Sequence, residues 1–419
     1  MKILRYNDPD FPEQLARAIA TSSLFDATID ERVRAIIADV QTRGDAALVE
    51  LTERFDHVKL SPDRLRVLDP APKVSSELRK AIAAAQKNIS AFAKRSLRKD
   101  WRMRNAQGAT VGERFEPFER VGIYIPGGTA PLVSTALMTI ALAKVAGCPN
   151  IVVCTPPPIN TDLLYAIRTA GATEIIQVGG AQAIAAMALG TATIRPVQKL
   201  FGPGNAYVVT AKRLLFGHVA VDLLPGPSEV LILADDSGNP AFIAADMLAQ
   251  AEHGSGHERV WLVTTSPRVL DATQHEIEQQ LPALKRREFI KRVDVVCVLA
   301  KDLKQAVAIV NDFAPEHCEL MTRNNLVLLK RIKTAGAIFI GPWSPTVVGD
   351  YLAGPSHTLP TGGAGKSFAG LTVDQFQRRT SVIELSRASL RKSLPALEKF
   401  AEVEGLSAHA ASARVRFSK

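Results

Sequence analysis

The chain has 419 residues, of which 47% are hydrophobic and 22% charged, and its formal net charge is +9 at pH 7. This length exceeds that of one ordinary domain, and the composition excludes a disordered or fibrous protein. Four cysteines, none in a Cys-x-x-Cys pair, exclude a disulfide framework and a zinc knuckle.

The N-terminal segment "MKILRYNDPDFPEQL" has no apolar core of the kind that a signal peptide needs. No stretch of the sequence approaches the roughly 20 apolar residues of a membrane-spanning helix. We therefore expect a cytoplasmic protein without a membrane partner.

Residues 11–95 are predicted to be helical, because apolar residues recur there at spacings of three and four, as in "ERVRAIIADVQTRGDAALVELTERFD". The basic segment "AKRSLRKDWRMR" (93–104) follows. It is the best candidate for nucleic-acid binding, but no nucleic-acid-binding motif accompanies it. The segment is more typical of a solvated helix face, and we expect no nucleic-acid partner.

From residue 120 onward, short β-branched runs alternate with helical stretches. Four strand–loop–helix units begin at "RVGIYIPGG", "NIVVCTPPP", "EIIQVGG" and "QKLFGPG". After the Pro/Gly cluster at 225–227 a second series contains "EVLILAD", "RVWLVTT", "VDVVCVLA" and "GAIFIG". This alternation predicts an α/β fold with two lobes, each built on a parallel sheet with helices on its faces.

Three Gly-rich loops join predicted strands to helix N-termini: "IPGGTAP" (125–131), "VGGAQ" (178–182) and "FGPGN" (201–205). Free N–H groups at such N-termini favour an anion. The usual G-x-G-x-x-G fingerprint is absent, and each loop alone is also explained as an ordinary turn. Together the loops suggest a nucleotide.

A second set of residues has metal-ligand character. His253 follows Gln250 by three residues, so the two share one helix face; Asp350 and His357 stand in a loop region rich in Gly and Pro; His409 lies near the C-terminus. Gln, His, Asp and His would supply nitrogen and oxygen donors suited to Zn²⁺, Mn²⁺ or Co²⁺. A polar helix stripe and plain turn chemistry also explain these residues.

The stretch "NDFAPEHCELMT" places Glu316, His317 and Cys318 side by side. From the residue types alone they could be a nucleophilic centre, half of a metal site, an acid–base pair or three unrelated side chains. The residues themselves thus indicate an α/β enzyme with a possible nucleotide and divalent metal.

Eight motifs, in this order, resemble the histidinol dehydrogenase family: "RVGIYIPGGTAPL", "VGGAQAIAA", "FGPGN", "GPSEVLILAD", "QAEH", "APEH", "GDYLAGPSHTLPT" and "EGLSAH". The resemblance runs from about residue 30 to the C-terminus. It implies two-step, NAD-dependent oxidation of L-histidinol through L-histidinal to L-histidine, the last step of histidine biosynthesis, in a homodimer with one zinc ion per subunit.

The same resemblance implies a role for individual residues. The zinc ligands would be Gln250, His253, Asp350 and, from the neighbouring subunit, His409. The residues in contact with NAD would be Tyr124, Gln182 and Asn205. The substrate would be held by Ser228, His357 and Glu404 together with His317 and the zinc ligands.

In the mechanism that the resemblance implies, His317 removes the alcohol proton and Glu316 activates the water that adds to the aldehyde. Imidazole suits the first role because its pKa lies near neutrality. Cys318 stands where the family usually has Leu, so it is interpreted as a small apolar residue.

The resemblance also implies two incomplete Rossmann-like lobes with parallel sheets, plus small helical N- and C-terminal pieces. The predicted division is an N-terminal helical arm (1–26), a first, metal-side lobe (27–123 and 230–371), a second, NAD-side lobe (124–229) and a C-terminal helical region and tail (372–419). The last region would reach the partner's site.

Two other functions compete with this one. Relatives on the same scaffold oxidise other small alcohols, such as sulfonated diols, but Glu404, His409 and the complete "APEH" motif favour histidinol. A basic nucleic-acid-binding protein using 93–104 is the remote alternative.

Overall fold

The computed structural model describes residues 1–20, 26–127 and 131–418. These residues form two parallel sheets, one small antiparallel sheet and the helices that cover them, which confirms the predicted α/β class. The strands in chain order are β1 (Lys2–Arg5), β2 (Trp101–Arg104), β3 (Thr110–Pro117), β4 (Arg120–Tyr124), β5 (Asn150–Cys154), β6 (Glu174–Ile176), β7 (Lys199–Phe201), β8 (Ala220–Val221), β9 (Glu229–Ala234), β10 (Arg259–Thr264), β11 (Val295–Leu299), β12 (His317–Met321), β13 (Ala337–Ile340) and β14 (Gln377–Glu384).

Helices connect and flank these strands. In chain order they are α1 (Phe11–Ile19), α2 (Ala27–Arg43), α3 (Asp45–Asp56), α4 (Ser76–Ser96), α5 (Val133–Ala146), α6 (Thr161–Ala170), α7 (Gly180–Leu189), α8 (Ala206–Leu215), α9 (Pro240–Ala251), α10 (Pro267–Gln280), α11 (Arg287–Ile290), α12 (Leu303–Phe313), α13 (Asn325–Leu329), α14 (Thr346–Tyr351), α15 (Arg387–Val403) and α16 (Ser407–Arg414). Short 3₁₀ turns lie at Pro62–Arg64, Leu281–Ala283, Ala364–Lys366, Val373–Phe376 and Val415–Phe417.

The five-stranded sheet has the order β6-β5-β4-β7-β8, and every pairing in it is parallel. Its central strands are β-branched runs buried on both faces. Because successive side chains point to opposite faces, Val121 and Ile123 pack with α4, α5 and α6, whereas Val152 and Cys154 pack with α2, α3, α7 and α8.

The six-stranded sheet has the order β1-β11-β10-β9-β12-β13 and is also parallel throughout. One face carries α1 and α12, and the other carries α9 and α10. The Pro/Gly cluster at 225–227 lies between β8 and β9. Strand β8 is the last strand of the five-stranded sheet, and β9 begins the series β9 to β13, which supplies five of the six strands of the other parallel sheet.

Two predicted domain assignments are wrong. The prediction places residues 27–123 in the metal-side lobe, but α2, α3 and α4 bury their apolar faces on the five-stranded sheet, to which β4 also belongs. It makes the N-terminal arm 1–26 helical only, yet the first strand, β1, pairs with β11 at the edge of the six-stranded sheet. The first error concerns which distant sheet a correctly identified amphipathic segment covers, and the second is a short edge strand that the sequence did not predict.

The small antiparallel sheet has the order β14-β3-β2. The sequence analysis missed it, because its strands are short or rich in exposed charged residues. The basic segment 93–104 is part helix and part strand, since α4 ends at Ser96 and β2 begins at Trp101.

All four cysteines are free and buried. Within the described ranges, no helix has both the length and the apolar character that crossing a membrane requires.

Candidate active site

Glu316 and His317 lie where helix α12 gives way to strand β12. The helix ends at Phe313, and Ala314 takes a positive φ of 53°, which turns the chain out of the helix. Pro315 then cannot continue the helix. His317 is the first residue of β12, so both side chains stand at the amino end of a central strand.

A single residue on the neighbouring strand β9 holds both side chains. The backbone N–H of Glu229 donates to Oε2 of Glu316 at 2.8 Å, and the backbone carbonyl of Glu229 accepts from Nδ1 of His317 at 2.9 Å. A carbonyl can only accept, so the proton of neutral His317 is assigned to Nδ1. The lone pair is then on Nε2, which faces Oδ1 of Asp350 at 3.7 Å.

Burial shifts both groups towards their neutral forms. It raises the pKa of Glu316 well above its ordinary value, and the nearby carboxylates of Glu229 and Asp350 raise that pKa further. Burial lowers the pKa of His317, and Asp350 partly opposes that change. His317 is therefore available as a neutral proton acceptor, and Glu316 is a stronger base than an exposed carboxylate.

Cys318 is on the other face of β12 from His317, because successive strand residues point in opposite directions. Its side chain is buried in an apolar cluster with Phe313 and Leu320. Burial raises the pKa of the thiol, so it remains protonated. The interpretation of Cys318 as an apolar packing residue is confirmed.

Gln250 and His253 lie at the C-terminal end of α9. Nδ1 of His253 bonds to the backbone carbonyl of Gln250 at 3.0 Å, which leaves Nε2 of the ring available as a donor atom for a metal. Gln250 is buried, yet its side-chain Nε2 has no hydrogen-bond partner among the described residues. A bound ligand with an acceptor atom could supply the hydrogen-bond partner that this buried amide nitrogen lacks.

Asp350 and His357 border the same region and come from a third segment of the chain, after α9 and β12. Burial lowers the pKa of His357, as it does that of His317; Asp350, which lies in α14, opposes this change at both rings, and His253 adds to it. These mutual effects require the four side chains to be close together. A cavity of about 540 Å³ opens beside His317 and His357, and Phe339, Trp343 and Leu359 contribute to its apolar wall.

A buried pair of carboxyl groups connects the elements that carry these residues. Asp246 on α9 and Glu319 on β12 lie close enough for each carboxyl group to affect the pKa of the other, and Glu319 Oε1 accepts from the backbone N–H of Thr346, the first residue of α14, at 3.0 Å. Burial raises the pKa of Asp246 to about 6. The pair thus lies among α9, β12 and α14, the elements that place Gln250, His317 and Asp350.

Ser228 directly precedes Glu229, and its side chain lies close enough to the Glu316 carboxyl group to lower the pKa of that group slightly, against the larger effect of burial. Glu404 and His409 are not at this site within one chain. They are exposed residues of the α15–α16 region, whose two helices pack chiefly against each other. In the described part of the chain, no three His, Cys, Asp or Glu side chains are grouped so as to hold a metal ion.

The residues predicted to contact NAD lie at the carboxyl ends of the five-stranded sheet. Tyr124 ends β4, and its hydroxyl accepts from the backbone N–H of Gly180 at 3.1 Å. Gln182 is buried in the first turn of α7. Asn205 caps α8 by accepting from the N–H groups of Tyr207 and Val208, so it also has a structural role.

These three positions surround the point where the strand order reverses. The chain runs outward from β4 through β5 to β6 and then returns to β7 on the other side of β4. Dinucleotides bind at such a point in open α/β sheets, and the N-terminal ends of α7 and α8 are directed there. Of the predicted loop "IPGGTAP", residues 128–130 lie outside the described residues.

The two regions meet through His357. Its Nε2 lies 3.4 Å from the hydroxyl oxygen of Thr135, in the first turn of α5, which follows β4. The carboxyl edge of the five-stranded sheet thus adjoins the cluster around His317 at the amino edge of the six-stranded sheet.

Known proteins match the chain over nearly its whole length. The family model for histidinol dehydrogenase matches residues 20–417. A histidinol dehydrogenase of Geobacillus kaustophilus is 43% identical over 97% of this chain and 99% of its own length. One from a Synechococcus species is 44% identical, over 92% of this chain and 91% of that protein.

Solved structures give the same result. The crystal structure of histidinol dehydrogenase from Elizabethkingia anophelis superposes with a TM-score of 0.92 at 34% identity, covering 100% of this chain and 98% of that one. The chain belongs to the histidinol dehydrogenase family. An acetylating aldehyde dehydrogenase from Geobacillus thermoglucosidasius, 13% identical with a TM-score of 0.51 over 91% of this chain and 99% of its own, shares the fold only.

The predicted histidinol dehydrogenase family is thereby confirmed. Sequence reasoning missed Glu229, whose backbone anchors both Glu316 and His317. Its position could have indicated it, because Glu229 follows Ser228 in "GPSEV" and begins a β-branched run. The Asp246–Glu319 pair was also missed. Its only signal was that Glu319 follows His317, the last residue of the "APEH" motif, by two residues.

Proposed function

We propose that the protein is a cytoplasmic enzyme that oxidises L-histidinol through L-histidinal to L-histidine, with two molecules of NAD. The observation that carries this proposal is the orientation of His317. Its Nδ1 is held by the Glu229 carbonyl, so the basic Nε2 faces Asp350 and the cavity. Membership of the histidinol dehydrogenase family supports the choice of substrate.

In the first oxidation His317 accepts the hydroxyl proton as hydride leaves the carbinol carbon. The buried imidazole is neutral before the step, as a base must be. The adjacent Asp350 carboxylate stabilises the imidazolium that forms, because an opposite charge nearby favours the charged form. NAD supplies the hydride acceptor for both oxidations.

In the second oxidation a water adds to the aldehyde, and Glu316 removes its proton. The raised pKa of Glu316 suits this role, since a carboxylate with a higher pKa is the stronger base. Ser228 and His357 would hold the substrate beside it, because both flank Glu316 and His317. Closure of the site around the aldehyde would keep the reactive intermediate from escaping.

Gln250, His253 and Asp350 would hold the zinc ion within one chain. They fit it in donor chemistry: Gln250 offers an amide oxygen, the Nε2 of His253, which its Nδ1 contact with Gln250 leaves available, is a preferred zinc donor, and Asp350 adds a carboxylate. The ion would orient the substrate and add some Lewis acidity.

His409 and Glu404 would come from the partner subunit of a homodimer. The two residues are exposed on a region that also exposes large apolar side chains, among them Phe400, Val403 and Leu406. Such a surface is typical of a protein interface. If the site is shared, mixing His409→Ala with His253→Ala subunits restores part of the activity, because one of the two mixed sites is intact; the absence of any recovery contradicts a shared site.

Tyr124, Gln182 and Asn205 would bind NAD at the reversal of strand order. Two observations support this placement: the three residues surround one point at the carboxyl edge, and His357 connects that edge to His317. Hydride transfer needs the nicotinamide close to the carbinol carbon.

The direct test is NADH formation by the zinc-supplemented protein with L-histidinol. We expect two NADH per L-histidine formed. Turnover of another small alcohol, such as a sulfonated diol, without turnover of L-histidinol would reject the proposed substrate.

A further inference from the structure

The loop that follows β7 is held by a buried ion pair that the proposed reaction does not use. The backbone N–H of Gly202 donates to Oδ2 of Asp222 at 2.8 Å, and the carbonyl of Gly202 accepts from Nζ of Lys212 at 3.0 Å. Lys212 and Asp222 also bond directly to each other. The side chains of Lys212 and Asp222 are 1% and 0% exposed. The Lys212–Asp222 ion pair therefore holds both the backbone N–H and the backbone carbonyl of Gly202.

A buried ion pair is an inefficient way to stabilise a helix. Removing two charges from water costs several kcal/mol per ion before their attraction is counted, and well-packed apolar residues often do as well. Helix α8 already has an N-terminal cap in Asn205 and an apolar face of Val208, Ala211 and Leu215. What apolar residues could not supply is a donor and an acceptor for Gly202.

The position of Gly202 explains why its orientation matters. Its φ is +106°, and a Cβ atom there would lie 2.1 Å from the Tyr124 carbonyl oxygen. The loop after β7 thus lies directly against the end of β4. It runs from Gly202 to Asn205, so both ends of this short loop adjoin residues proposed to contact NAD.

Other charges near the pair have separate partners. Lys199 on β7 donates to the backbone carbonyl of Gln375, and burial lowers the pKa of its amino group. On α8 the next residue, Arg213, pairs with Asp30 of α2 on the far side from the loop. The contact with Gly202 therefore belongs to Lys212 and Asp222.

We propose that Lys212 and Asp222 are positioning residues for NAD: together they fix the 202–205 loop against Tyr124 and so set the affinity for the dinucleotide. This inference rests on the proposed function, because it assumes that NAD binds at the carboxyl edge of the five-stranded sheet. It assigns the pair no part in proton or hydride transfer.

The test compares Lys212→Met, Asp222→Asn and the double variant with the wild-type enzyme. NADH dissociation constants are measured by titration, KM values for NAD and L-histidinol by steady-state kinetics, and folding by thermal unfolding. The double variant leaves no unpaired buried charge, so we expect it to fold even where a single variant does not. Asp30→Asn is the matched control, because it removes the neighbouring ion pair on α8.

In the double variant the amide oxygen that Asp222→Asn introduces can still accept from the Gly202 N–H, but the Gly202 carbonyl loses its donor. We expect the NADH dissociation constant and the KM for NAD to rise about tenfold, the equivalent of one lost hydrogen bond. The KM for L-histidinol and kcat at saturating NAD should remain within twofold of wild type. Asp30→Asn should bind NADH like the wild type.

A folded double variant with wild-type NADH affinity overturns the inference, and so does an equal rise in both KM values, which indicates a general structural role. The two proposals fail differently. A wild-type enzyme that binds NADH but does not oxidise L-histidinol rejects the substrate and leaves the NADH comparison valid. A wild-type enzyme that binds no NADH rejects both.

Discussion

The two parallel sheets place the residues that we propose to be functional at opposite ends of their strands. In the five-stranded sheet, Tyr124 and the 202–205 loop lie at the carboxyl ends, as is usual for α/β proteins. In the six-stranded sheet, Glu316, His317 and Glu229 lie at the amino ends of β12 and β9. In both sheets the residues surround the point where the strand order reverses.

The difference follows from which helix termini are available. A helix that returns from one parallel strand to the next ends near the amino edge of the sheet, so α9 delivers Gln250 and His253 to the same edge as β12. The carboxyl edge offers helix N-termini, which suit phosphates, whereas the amino edge offers helix C-terminal residues and strand beginnings. One edge is thus suited to binding a dinucleotide and the other to proton transfer and metal ligation.

The strongest test of this division changes His317. In His317→Asn the side-chain amide can still donate to the Glu229 carbonyl, but no base remains. We expect kcat to fall by roughly 10²–10⁴, while the NADH dissociation constant stays at the wild-type value. Steady-state assays and NADH titration measure the two quantities. Activity within a few-fold of wild type would show that another group takes the proton.

Glu316→Gln separates the two oxidations at the amino edge. The amide oxygen can still accept from the Glu229 N–H, but the group cannot remove a proton from water. Oxidation of supplied L-histidinal should slow by about 10², and formation of the first NADH from L-histidinol should slow much less. Equal losses in both assays would argue against a specific role in the water step.

The carboxyl edge is tested by Gly202→Ala, with Gly217→Ala as the control. Both glycines have positive φ values, +106° and +99°, but a Cβ at Gly217 meets nothing within 4 Å. Both variants carry about 1–2 kcal/mol of backbone strain, and only Gly202→Ala should also raise the KM for NAD, by about tenfold. An equal effect of the two substitutions would mean that the Tyr124 contact is unimportant.

The smallest expected effect concerns the Asp246–Glu319 pair. The pKa of Asp246 is raised to about 6, so the folded protein binds this proton more tightly than the unfolded chain does. Wild-type stability should therefore decrease as the pH rises through about 6. In Asp246→Asn the amide carries no charge, so the wild-type Tm minus the variant Tm should fall by roughly 2–4 °C between pH 5 and 7.5. Parallel Tm curves would contradict a shifted Asp246.

The sequence predicted the parts of the fold that have strong local patterns. Strands β4, β5, β9 and β10 are apolar runs because both of their faces are buried. Strand β12 was not recognised, because His317 and Glu319 put polar groups where such a run would be apolar. The functional demand on those positions hid the strand pattern.

The sequence patterns did not predict which elements that are distant in the chain pack against each other. The helical character of α2 to α4 was clear, but an amphipathic face does not say which sheet it covers, and the lobe assignment was wrong. The candidate ligand set was predicted through family motifs, whereas Glu229 and the Lys212–Asp222 pair were not. Their contacts involve backbone N–H and C=O groups, which every residue type except proline carries, so the amino-acid sequence does not mark which backbone groups take part.

Glu229 combines two independent controls over the acid–base pair. Its peptide groups fix where Glu316 and His317 stand, and any replacement at position 229 other than proline retains those groups. Its carboxylate, paired with Arg259 at 3.0 Å, raises the pKa of Glu316. Substitution at 229 can therefore retune the proton affinity of Glu316 without relocating it, so the basicity of the site can evolve separately from its geometry.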